Sequence, residues 1–204
     1  MKAANRIVVN TAVLYIKLLL AMAIGLITTR LVLAALGETD YGIYSLVAGV
    51  VGMLAFLQGA MSGASMRFLS YSVGTGDQDN IIKTFNTTLF LHIVLGIILV
   101  VIMELGGIVM FKYFLNIPEA KILDAKIIFH FMVITTFFAV ISVPYDAVMN
   151  SHENMLVLSL IDLLGNILRL GVAIFLTYST TNLLIMYGLF MLIIQIILRL
   201  IKQW

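Results

Sequence analysis

Long, continuously apolar runs constrain the fold of this chain more than any other feature. Six of them, at 7–36, 43–71, 85–111, 123–149, 155–178 and 183–201, are separated by short polar breaks. Each is long enough to cross about 30 Å of hydrocarbon as a helix. Lipid offers backbone groups no hydrogen-bond partner, so a crossing segment must satisfy its own, as a helix does. A membrane β-barrel would need polar residues at every second position, and these runs lack that alternation. The expected fold class is therefore all-α, a polytopic membrane protein with six transmembrane helices.

Composition leads to the same place. The chain is 62% hydrophobic and 11% charged, with a mean hydropathy of +1.13. A soluble domain is about 45–50% apolar and about 25% charged, and could not hide so much apolar surface. The chain has no cysteine, which rules out a disulfide framework and a thiolate metal site. The first run is too long for a signal-peptide core and lacks a small-x-small cleavage site, so it reads as a retained span.

The breaks carry turn and cap chemistry: Gly37-Glu-Thr-Asp-Tyr-Gly42, Gly74-Thr-Gly-Asp77, Asn116-Ile-Pro118, Asn150-Ser-His-Glu-Asn154 and Ser179-Thr-Thr-Asn182. Orientation follows from the lysines and arginines in the breaks and near the span ends. With the N-terminus in the cytoplasm, that side collects Lys2, Arg6, Arg67, Lys83, Arg199 and Lys202, and the other side Lys112, Lys121 and Lys126. Both termini are then expected in the cytoplasm, with Trp204 beside Lys202 anchoring the last helix at the interface.

The remaining three cations, Lys17, Arg30 and Arg169, lie within spans. Asn10, Lys17 and Thr28 lie within about 20° of one another on the first helix, while Arg30 is turned about 140° from Lys17. Arg30 is near enough to the Gly37 break to snorkel outward or to face a cavity. Lys17 is expected deeper, facing a bundle interior or a wet cavity. On the fifth helix Ser159, Asp162, Asn166 and Arg169 share an arc of about 80°. That row suits either a self-neutralised seam against a neighbouring helix or the wall of a hydrated cavity.

On the second helix Ala48, Gly52, Ala55, Gly59 and Gly63 share a face and suggest close helix packing. Pro144 is expected to kink or end the fourth helix. Glu104 is assigned to the outer interface, and His92 and His130 are read as isolated structural groups. No spacing suits a metal site, a phosphate-binding loop or a nucleophile with its base, so no enzyme, cofactor or metal is expected.

Three stretches carry a family resemblance: Arg30 with Leu36-Gly37 and Tyr41-Gly42; Arg67-Phe-Leu-Ser70 followed by Gly74-Thr-Gly-Asp77; and Val143-Pro-Tyr-Asp-Ala-Val-Met-Asn-Ser-His-Glu-Asn-Met155. The chain resembles bacterial polysaccharide-biosynthesis flippases, the Wzx-type lipid-linked oligosaccharide translocases of the multidrug/oligosaccharidyl-lipid/polysaccharide exporter superfamily. That family commonly has Asn where Asp146 stands. The resemblance implies a two-lobed transporter of which residues 1–204 are the N-terminal lobe, so this is a fragment, a truncated gene, or a half that pairs with a second copy. It also implies the bacterial inner membrane, a partner lobe and a lipid-linked oligosaccharide substrate, moved by alternating access for lipopolysaccharide, O-antigen or related surface polysaccharide. Lys17, Arg30, Ser159, Asp162, Asn166 and Arg169 would then line the cavity, the bases meeting the pyrophosphate. The alternatives are a lobe of a cation-coupled multidrug exporter and a non-transporting membrane scaffold.

Overall fold

The structure, a computed structural model, describes residues 3–53, 55–152 and 155–203; the side chains at 3–10, 13 and 55–58 are outside the description. Lys2, Glu153, Asn154, Trp204 and the side chains of Arg6, Asn10 and Ala55 therefore lie beyond it. Among the described residues every regular element is helical: α1 (Ala3–Gly52), α2 (Ala55–Thr75), α3 (Gln78–Tyr113), a 3-10 turn (Glu119–Lys121), α4 (Ile122–Ser151), α5 (Met155–Leu176) and α6 (Leu183–Ile201).

Five segments are long and apolar enough to cross a membrane: Leu14–Gly52, Gln78–Tyr113, Glu119–Ser151, Met155–Leu176 and Leu183–Ile201. The first has 39 residues, about 58 Å of helix, roughly twice the hydrocarbon thickness. It is interrupted at Gly37, whose φ of 75° and ψ of 172° are non-helical. Val32 and Leu36 before the glycine, and Ile43 and Val47 after it, enter the same buried core. The expected break of Gly37 to Gly42 is thus shorter than its sequence suggested, since helix resumes at once. The second expected span is also divided, with 43–52 ending α1 and 55–75 forming α2.

α4 is the axis of the bundle and packs against all five other helices. Five consecutive residues, Val140 to Pro144, are buried. A helix covered on every side at one level must sit among neighbours rather than at the lipid face. It continues through Pro144 to Ser151, so the proline does not end it. α3 runs antiparallel to α4, with Gly96 beside Phe137 and Gly107 beside Phe129. α6 runs parallel to α4, linked to it by Asn182–Asp124 at one end and Lys202–Asp146 at the other.

The close approaches fall at glycines other than those expected. A methyl group on Gly107 would collide with the Phe129 ring, and one on Gly165 would meet Leu198 at 2.8 Å. Gly52, Gly59 and Gly63 face open space. The small face of the second span therefore has no close neighbour within the described structure. Large apolar side chains on α1, among them Tyr15, Leu19, Met22 and Leu26, are likewise exposed.

Candidate functional site

The polar rows of α1 and α5 face each other. α1 is exposed on most sides between residues 14 and 31, apart from a narrow stripe at Lys17, Ala21, Ile24, Thr28 and Leu31. α1 packs chiefly against α5. Lys17 Nζ donates to Asp162 Oδ2 at 2.5 Å, and its side chain is 27% exposed against 37% for the aspartate. The two expected stripes are thus halves of one seam. The seam is not sealed, because the pair keeps a third of its acid edge open.

Two residues at the end of α6, read from the sequence only as cations of the cytoplasmic side, complete the site. Lys202, which caps the C-terminus of α6, lies 2.7 Å from Asp146 Oδ1 and 4.0 Å from Asp162 Oδ1. Its side chain is only 12% exposed. Arg199, one turn earlier, is 8% exposed and stacks 3.9 Å above the Tyr145 ring. A guanidinium over an aromatic face is favoured by the ring quadrupole, more so when water is excluded. Its Nη1 donates to Gln203 at 3.4 Å, while its Nε is buried with no hydrogen-bond partner. Four helices, α1, α4, α5 and α6, therefore deliver charge to one spot.

Lys17 also lies far along α1 from the glycine break. Twenty residues separate it from Gly37, about 30 Å of helix, which is the full hydrocarbon thickness. Lys17 thus lies level with the C-terminal end of α6, where Lys202 shares its partner Asp162.

The other sequence candidates divide. Ser159 is buried at 6% exposure, one turn before Asp162. Arg169 Nη1 donates to Asn166 Oδ1 at 3.3 Å, so this pair is hydrogen-bonded within α5 itself while the guanidinium keeps its charge. Arg30 is exposed, unlike the other five, and has no ion pair among the described residues. Asp146, Tyr145, Arg199 and Lys202 escaped the sequence reading because the α4–α6 register that joins them is invisible along the chain. The only signal was Asp146 itself, an acid just past a buried proline.

A membrane bundle that concentrates ionisable groups between helices at one end has the make-up of a transporter. The MatE family model matches residues 13–175. The chain belongs to the MatE family, whose members are membrane transporters of the multidrug/oligosaccharidyl-lipid/polysaccharide exporter superfamily and not enzymes. No curated protein and no solved structure gives a significant match.

Proposed function

We propose that this chain is one lobe of an exporter that flips isoprenoid-pyrophosphate-linked oligosaccharide across the bacterial inner membrane. The supporting observation is the excess of base where α1, α4, α5 and α6 converge. Lys17, Arg199 and Lys202 stand against Asp146 and Asp162, with Arg169 further along the same row. A pyrophosphate entering a site of low dielectric needs compensating positive charge, which lysine and the forked guanidinium of arginine supply. Lys17 exchanges part of its bond to Asp162 for the headgroup, and Ser159 and Asn166 offer hydrogen bonds to the sugar. Arg30, apart from the cluster, meets the headgroup only as it leaves.

The exposed faces of α1 and of Gly52, Gly59 and Gly63 are where a second lobe or a second copy would complete the cavity. Rocking of the two halves would alternate access, as in many transporters. With both termini cytoplasmic, the base-rich end faces the leaflet in which lipid-linked sugars are built. The open edge of Asp162 favours a second reading, export of amphiphilic cations.

Reconstitution of the complete transporter in vesicles separates the two. Lys17→Glu and Arg169→Glu are expected to slow transfer of a fluorescent lipid-linked oligosaccharide by about tenfold or more, the equivalent of one lost charge-assisted contact, and to leave dye export unchanged. Normal oligosaccharide transfer by these variants, with dye export abolished by Asp162→Asn, selects the multidrug reading.

A further inference from the structure

On the lipid-facing side of α3 and α4, near the Gly37 end of the bundle, there is a cavity of about 550 Å³. Its walls are apolar, formed by Ile108, Phe111, Ile122 and Phe129. Lys112 and Lys126 line it as well, the first one residue before the end of α3 and the second in the second turn of α4. Deeper in, Glu104 Oε1 and His130 Nδ1 meet at 2.9 Å, with side chains 38% and 56% exposed. Nine residues separate Glu104 from Tyr113 and eight separate His130 from Ile122. The pair thus lies about 12–14 Å below the helix ends.

Ionisable groups at that depth normally face a bundle interior or water, yet this pair opens toward lipid. His130 is not isolated, contrary to its sequence reading, since it pairs with Glu104. A groove with apolar walls and charged groups at its mouth and floor suits a molecule with a polar head and apolar tails. Two exposed lysines against one glutamate make that head an anion.

We propose that this groove holds an anionic phospholipid of the bilayer. Lys112 and Lys126 meet its phosphate, the Glu104–His130 pair bonds the hydroxyls of its headgroup, and its acyl chains lie along Ile108 and Phe129. Basic pockets between membrane helices recognise lipid headgroups by this chemistry. The groove is at the opposite end of the bundle from the Lys17 cluster, so it stands or falls independently of the transport reading.

The test is native mass spectrometry of the full chain released from mixed phosphatidylglycerol and phosphatidylcholine bilayers. The wild type is expected to retain phosphatidylglycerol in preference to phosphatidylcholine. Lys112→Gln/Lys126→Gln is expected to weaken that retention roughly tenfold to thirtyfold, since each basic residue near an anionic surface contributes about one factor of five. Lys112→Arg/Lys126→Arg should restore it, which excludes misfolding as the cause. Equal retention of the two lipids by the wild type overturns the proposal, as does undiminished phosphatidylglycerol on the glutamine variant. Selective retention of an added isoprenyl phosphate in place of phosphatidylglycerol overturns it too.

Discussion

At the Gly37 end of the bundle, Lys121 lies 2.7 Å from Asp40 and 3.8 Å from Asp124, and Asn182 donates to Asp124 at 3.0 Å. At the other end, Lys17, Lys202 and Arg199 surround Asp146 and Asp162. Both clusters tie several helices together, but their balance differs. The first places one base between two acids at the starts of α4 and α6, where water and helix ends absorb the surplus. The second has more base than acid, deepest at Arg199. A cluster that only fastens helices needs no such surplus, which is why, of these two clusters, the one around Lys17 is the one we propose to meet an anionic cargo.

Substitutions test this contrast, beginning with the largest effect. Asp146→Ala leaves the nearly buried Lys202 ammonium only Asp162, at 4.0 Å, as a partner and is expected to destabilise the protein by about 3 kcal/mol, because its nearest compensating charge is lost. Thermal unfolding in detergent reads this, and Asp146→Leu/Lys202→Met should recover most of the loss. Gly37→Ala forces a side chain into a backbone region that is essentially glycine's own and should cost about 1–3 kcal/mol. A chemical-denaturation midpoint unchanged by that substitution would remove the turn from the argument.

Lys121→Ala is expected to lower stability by about 1 kcal/mol or less, as partly exposed pairs do, with transport rate unchanged once folded protein is counted. The smallest stability change, about 0.5 kcal/mol, is expected for the double change Lys17→Met/Asp162→Leu, whose pair is a third exposed. In a vesicle transport assay that same variant should be the most impaired of the four. If Lys121→Ala proved as damaging to transport as the Lys17 change, the two clusters would have the same role and the comparison would collapse.

Particular residues show what was legible beforehand. Asp77 and Asn182 occupy predicted breaks and cap α3 and α6 with their side chains, because a cap is a local bond that needs only the next few residues. The α5 row was legible because helical geometry fixes which residues share a face. His92 is, as read, a structural group, buried and held by Ser65 and the Thr88 carbonyl. The partners of Asp146, Glu104 and Lys17 were not legible, since each is reached across a helix–helix register set by the fit of glycines such as Gly107 and Gly165 against bulky neighbours. The glycines of the second span looked like packing sites and face open space, because a small residue permits close approach without supplying the neighbour.

By itself the sequence determined that the chain is a bundle of membrane helices, where most of them start and stop, and which side of α5 is polar. These follow from hydrogen-bond satisfaction in lipid and from the 3.6-residue turn, both properties of a single segment. Only the tertiary structure decided that α4 is the axis, that Lys17 belongs to Asp162, and that the end of α6 adds two more bases to that spot. Those outcomes depend on the relative shift and direction of helices distant in sequence, which shape fit between their surfaces selects and no single segment encodes.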